Sequence, residues 1–297
     1  MRRFLVLCLL LVALIGAAGL WITRPVAIAV ADLPDHQPDP SQGEQIFYAT
    51  GCASCHAAPG AREDAKLVLA GGLEFKTDFG VFHAPNISPD PDHGIGGWSA
   101  AEFVSAVKYG TSPDGQHYYP AFPYGSYTRM EVTDILDLKA FMDTLPSDAT
   151  QSKPHDLGFP FNIRLSLGGW KLLFIDDGAV VAQNDPVLAR GQYLVEAMGH
   201  CAECHTPRNA LGGLITSQWL AGGPNPDGQG RIPNITPGVL EWSETDIAYY
   251  LETGFTPEFD SVGGSMVSVV DNTAKLTPED RAAIAAYLKS VPSISDP

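Results

Sequence analysis

Two short strings in this 297-residue sequence have the residue types and spacing to do chemistry: Cys52-Ala-Ser-Cys55-His56 and Cys201-Ala-Glu-Cys204-His205. In each, a helical turn beginning at the first cysteine would carry two thiols to the two vinyl groups on one porphyrin edge, while the next residue offers imidazole to the iron. Each string therefore reads as a site of covalent haem attachment. Together they use four of the five cysteines, which leaves no pair for a disulfide. A zinc site or a redox disulfide fits less well, because zinc-binding pairs lie much closer together in sequence and a thioredoxin-like motif calls for no following histidine. The expectation is two covalently bound haem c groups, held by Cys52, Cys55, Cys201 and Cys204, with His56 and His205 as proximal iron ligands.

The opposite face of each iron needs its own donor. Methionine thioether is the usual one in electron-transfer cytochromes, and it raises the reduction potential relative to a second histidine. Of the five methionines, Met1 starts the chain, Met198 precedes a haem motif on its entry helix, and Met142 falls where the other half of the chain has Leu288. Met130 and Met266 remain, one per haem, each expected in a loop between helices and each a candidate iron ligand. His83 and His117 are rivals for the first iron, although Arg231 stands opposite His83 in the second half. Trp98, Trp242, Arg208 and Arg231 are candidates for contact with haem edges or carboxylates, and Asn86 and Asn234 read first as turn residues.

The elements that must position these residues come as an internal repeat. Asn86-Ile-Ser-Pro89 answers to Asn234-Ile-Thr-Pro237, Trp98-Ser99 to Trp242-Ser243, and Ala140-Phe-Met-Asp-Thr-Leu-Pro-Ser147 to Ala286-Tyr-Leu-Lys-Ser-Val-Pro-Ser293. Helices are expected over Gly43–Gly51 and Pro186–Gly199, leading into the haem motifs. Ser99 with Glu102, and Ser243 with Asp246, have the form of capping boxes that start a middle helix. The last helices carry apolar residues at helical spacing: Ile135, Leu138, Met142 and Leu145, then Ile284, Tyr287, Leu288 and Val291. Thr277-Pro278 fits an N-cap followed by proline at the first helical position. Gly, Pro, Asn and Asp fill the intervals, so little sheet is expected.

The expected fold is mainly α: two tandem cytochrome c domains of the class I type with long loops, behind an N-terminal helix. Residues 1–31 form a membrane anchor or signal segment, 40–147 the first domain, 148–184 an interdomain segment and 185–297 the second domain. At this length each domain is expected to bury a core of its own. The apolar interdomain stretch from Leu157 to Ile175 is expected to pack along the domain interface, with membrane or partner contact as the alternative.

Phe4 to Ile22 is an uninterrupted run of apolar and small residues, preceded by Arg2 and Arg3. Its length suffices to span a bilayer as a helix. The arginine pair keeps the chain start in the cytoplasm, so the haem domains are expected in the periplasm of a bacterium, tethered to the inner membrane. A soluble periplasmic form, cleaved after Ala29-Val30-Ala31, is the alternative. Cys8 lies inside the run and reads as a small apolar residue. The formal net charge is −16; without Arg2, Arg3 and Arg24, 15 basic residues face 34 acidic ones, a net of −19. Such a field disfavours nucleic acid and favours a basic patch on a protein partner.

Longer strings extend the pattern: Gly94-Ile-Gly-Gly-Trp-Ser99, Ser112-Pro-Asp-Gly115, Tyr119-Pro-Ala-Phe-Pro-Tyr124, Phe159-Pro-Phe-Asn162 and His200-Cys-Ala-Glu-Cys-His-Thr-Pro-Arg-Asn209. From Asp39 onward the chain resembles the cytochrome c subunit of membrane-bound alcohol and gluconate dehydrogenases. The resemblance implies Met130 and Met266 as axial ligands and a periplasmic or membrane-bound dehydrogenase as electron donor. Those subunits generally carry three haem motifs and pass electrons to membrane ubiquinone. This sequence shows two such motifs, so a soluble cytochrome, an oxidase or a quinone are all open as acceptors. The expected function is electron transport by a dihaem c-type cytochrome in a periplasmic respiratory chain. The competing reading is a dihaem enzyme, a peroxidase or sulfur-compound oxidase, which needs one readily displaced distal ligand. One methionine per haem argues against it.

Overall fold

The computed structural model describes residues 1–225 and 230–296. Its first helix, α1 (Arg2–Ile22), buries no residue. It is the one helix among the described residues that is long and apolar enough to cross a membrane, with a mean hydropathy of 2.8. The chain that leaves it is pinned to the first repeat. His117 Nε2 donates to the Thr23 carbonyl at 2.9 Å, and the Ile28 N–H donates to Ser105 Oγ at 3.0 Å. Further on, His36 Nε2 and the Asp39 N–H both meet Asp137 Oδ1, at 2.6 and 2.8 Å.

The first repeat opens with α2 (Pro40–Thr50), three residues before the expected Gly43. Asp39 caps it by accepting from the Ser41 N–H, and Pro40 takes the first helical position, where no N–H is needed. The attachment motif itself is helical, α3 (Cys52–His56). A hairpin of β1 (Glu74–Thr77) and β2 (Gly80–His83) follows. Then come α4 (Ala100–Tyr109), the single turn α5 (Tyr124–Tyr127) and α6 (Val132–Met142). The interdomain segment adds the two-residue β3 (Asp156–Leu157) antiparallel to β2, and α7 (Ser166–Phe174).

The second repeat runs through α8 (Pro186–Gln192), which continues as a π-helical turn over Tyr193–Met198, to α9 (Ala202–His205). Here the expected single helix over Pro186–Gly199 is interrupted in its hydrogen-bond spacing, a departure common beside functional sites. A minimal hairpin, β4 (Gly223–Pro224) with β5 (Arg231–Ile232), precedes α10 (Glu244–Thr253), α11 (Met266–Thr273) and α12 (Pro278–Ser290). Both capping boxes form, Ser99 with Glu102 and Ser243 with Asp246, and Thr277 caps α12 as expected.

In each repeat the entry helix crosses the last helix, and a glycine makes the crossing close. A Cβ on Gly43 of α2 would lie 2.0 Å from the Asp137 carbonyl oxygen of α6. A Cβ on Gly191 of α8 would lie 2.0 Å from the Ala283 carbonyl oxygen of α12. The backbones touch because neither position carries a side chain.

Instead of one core per domain, a single contiguous cluster of buried apolar residues spans both repeats, from Ile46, Phe47 and Val104 to Val195, Tyr287 and Leu288. Glu196, only 1 % exposed, is built into it. Its carboxylate accepts from the Val180 and Val181 N–H groups at 2.8 and 2.9 Å and from the Tyr287 hydroxyl, with Arg129 Nε 4.0 Å away. One buried carboxylate thus ties the interdomain segment, the entry turn and the last helix together.

The interdomain segment only partly follows expectation. Leu167 and Gly168 are buried and Phe174 packs over Gly213, but Phe159, Leu165, Leu172 and Leu173 face outward. Its inner face is anchored by Lys171, whose Nζ donates to the carbonyls of Tyr109 and Gly110 at 2.6 and 2.7 Å.

Candidate haem sites

The two attachment motifs are built alike. His56 Nδ1 lies 2.8 Å from the Pro85 carbonyl, and His205 Nδ1 lies 2.8 Å from the Pro233 carbonyl. A carbonyl only accepts, so Nδ1 carries the proton in both rings and Nε2 keeps its lone pair. This is the orientation that metal-bound histidines take, with the second nitrogen held by the backbone. Burial lowers the pKa of both imidazoles and keeps them neutral, as an iron ligand must be. The carbonyls that hold them open the Asn86 and Asn234 turns. Asn86 Nδ2 donates to the Asp148 and Thr150 carbonyls, and Asn234 Nδ2 donates to the Ile294 carbonyl, so each asparagine fastens the chain after its last helix.

Burial raises the pKa of three of the four motif thiols. Burial pushes Cys52 up to about 11 and Cys201 up to about 12. Burial, then Cys52 and Cys204, push Cys55 up to about 11. Among the described residues, moreover, no group of three or more His, Cys, Asp or Glu side chains could hold a bare metal ion. Two thiols on one helical turn beside an imidazole with a free Nε2 fit haem c. When bound, the haem supplies a one-electron iron couple.

The motifs also stand back to back. Asn272 Nδ2 of α11 donates to Ser54 Oγ at 2.8 Å, and Ser126 Oγ of α5 donates to Glu203 Oε1 at 3.3 Å. Ser54 and Glu203 are the same position of the two Cys-x-x-Cys strings, so each repeat grips the other's attachment loop. His200 Nε2 donates to the Thr50 carbonyl at 3.3 Å, and its ring meets Tyr127 edge-on at 5.7 Å. Lys66 pairs with Asp271 at 2.7 Å.

Met130 and Met266 do not occupy equivalent places. Met130 is fully buried in the core and immediately precedes Glu131, the N-cap of α6. Met266 is half-buried and, contrary to the loop expected, is the first residue of helix α11. Trp98 and Trp242 are partly buried against the core. Arg208 is engaged by the Glu203 carboxylate, and Arg231 lies exposed in β5. The cross-repeat contacts of Ser126, Glu203 and Asn272, and the buried Glu196, carry no motif that sequence reading could have found.

Each repeat matches the cytochrome c family model, over residues 40–146 and 188–292. The chain belongs to the cytochrome c family. It carries two domains of this family, each with its own covalent haem c. This cytochrome c is similar to a diheme cytochrome c-type protein of Cereibacter sphaeroides, 58 % identical over 299 residues, 99 % of this chain and 100 % of that one. It is similar also to the cytochrome c subunit of the quinone alcohol dehydrogenase of Gluconobacter oxydans, 35 % identical over 86 % of this chain and 55 % of that one. The fructose dehydrogenase cytochrome subunit of Gluconobacter japonicus is 38 % identical over 87 % of this chain and 54 % of its own length. The cytochrome thus spans about half the length of these two subunits. These two relatives are named as cytochrome subunits of dehydrogenases.

Proposed function

We propose that this dihaem cytochrome c is a membrane-tethered electron relay that takes electrons from a dehydrogenase on the periplasmic face of a bacterial inner membrane. It then delivers them to a soluble cytochrome, an oxidase or a quinone. The observation that carries the reading is the reciprocal grip of the two attachment motifs, Asn272 on Ser54 and Ser126 on Glu203. It ties the two attachment motifs together over a shared core, as passage of an electron between haems bound there requires. The ligand set comprises His56 and His205 through Nε2 and Met266 on the second iron.

A dehydrogenase donor is supported by relatives named as cytochrome subunits of alcohol, fructose and gluconate dehydrogenases. The acidic folded part suits a basic docking face on that donor. The fully exposed apolar α1, pinned through Thr23 and Ile28 to the first repeat, supports a tether over a free leader. Co-purification from detergent-solubilised membranes tests the reading. A dehydrogenase that reduces both haems when given its substrate is expected, and a cytochrome that elutes alone and accepts no electrons from any membrane dehydrogenase would refute it.

A further inference from the structure

We infer that the first haem iron has no thioether ligand: Phe122 stands where the second repeat has Met266, so the first haem keeps a distal site open to a small exogenous ligand such as CO. The inference rests on His56 and His205 being the proximal ligands.

The register follows from backbone hydrogen bonds that recur in both repeats. In the first, the Tyr118 N–H donates to the Gly110 carbonyl and closes the loop after α4. In the second, the Val262 N–H does the same to the Gly254 carbonyl. Isolated bridges Thr111 to His117 and Phe255 to Ser261 sit just inside these closures. Counting on from each closure, Met266 is the fourth residue after Val262, and the fourth after Tyr118 is Phe122.

Counting back from the last helices gives the counterpart of Met130. It lies immediately before the N-cap Glu131, as Leu276 lies immediately before the N-cap Thr277. The Met130 N–H donates to the Tyr127 carbonyl, and the Leu276 N–H to the Thr273 carbonyl. Even the carbonyls match: that of Met130 accepts from Lys108 Nζ at 2.6 Å, that of Leu276 from Arg281 Nη1 at 2.5 Å. Met130 is 0 % and Leu276 5 % exposed. Leu276 cannot ligate iron, and Met130 does the same packing work.

Phe122 is linked to the first attachment motif through Tyr127. Its half-buried ring meets Tyr118, Tyr124 and Tyr127 edge-on, with centroids 5.9, 6.3 and 5.8 Å apart. The Tyr127 hydroxyl donates to the Thr50 carbonyl, two residues before Cys52. An aromatic cluster tied to the motif, with a phenyl ring at the Met266 position, would offer a haem bound there no thioether and an apolar surface suited to an uncharged diatomic. His117, the nearest imidazole in sequence, is held through Nε2 on the Thr23 carbonyl, with Nδ1 buried and unpartnered.

Holoprotein shown by pyridine haemochromogen to carry two haems is reduced and titrated with CO. One CO per chain is expected, and the oxidised protein should show one near-infrared sulfur-to-iron band per two haems. Phe122→Met should abolish CO uptake and double that band. Met266→Leu should remove the band, whereas Met130→Leu should change neither. No CO uptake by the wild type, or a Met130→Leu variant that loses sulfur-to-iron absorption, would overturn the inference. A haem count other than two would instead refute the assignment of the attachment sites.

Discussion

Replacing Gly43 or Gly191 by alanine probes the helix crossings that set the position of each attachment motif. The added Cβ would start 2.0 Å from a carbonyl oxygen of the facing helix, with Phe141 Cβ or Tyr287 Cβ at 2.8 or 2.7 Å. Ordinary contact needs about 3.4 Å, so the helices must part by well over an ångström along a well-packed seam. Overpacking of this kind costs up to about 3 kcal/mol, and better helix propensity returns roughly 1 kcal/mol. Each variant is therefore expected to lose about 2 kcal/mol. Gly169 of α7 is the control, since a Cβ there would meet nothing within 4 Å; Gly169→Ala should be neutral or gain up to about 1 kcal/mol. Denaturant unfolding of the holoprotein, followed by Soret circular dichroism, measures all three. Wild-type stability in Gly43→Ala and Gly191→Ala would refute the close-crossing account.

Burial lowers Lys171 from 10.5 to about 8, so the unfolded chain holds the proton more firmly than the folded one between those values. Stability should therefore rise as pH climbs through that window, and Lys171→Met should remove this part of the slope when unfolding is measured at both ends. Glu196→Gln turns an amide donor toward a buried N–H that now gives its proton to a carboxylate; a loss of about 2 kcal/mol is expected, and a urea midpoint equal to wild type would contradict it. N-terminal sequencing of the membrane-bound protein should begin at or next to Met1, whereas a start at Asp32 would mean that α1 is removed.

The parts of this molecule legible in the sequence are those whose physics is local. A Cys-x-x-Cys-His string needs only one helical turn, and a capping box needs only Ser99 and Glu102, or Ser243 and Asp246, three residues apart. The illegible parts join distant residues. Nothing near Ser54 announces Asn272, and nothing near Glu203 announces Ser126. The shared core was hidden for the same reason, because apolar spacing on α6 and α12 shows which face is buried but not against which neighbour. Leu172 and Leu173 show the converse case, apolar residues left outside beside an anchored Lys171. The β1–β2 hairpin escaped because Glu74–Thr77 lacks a clean apolar alternation. Met266 starts α11 where a loop is expected, since a helix start and a loop look alike when the repeats differ in length.

The relay itself is tested most directly by anaerobic stopped-flow reduction of the purified two-haem protein with its co-purified dehydrogenase and that enzyme's substrate. Both haems are predicted to reduce within the dehydrogenase's turnover, the second electron following without a second docking event. Haems that stay oxidised while the dehydrogenase turns over, yet reduce fully with dithionite, would contradict the account.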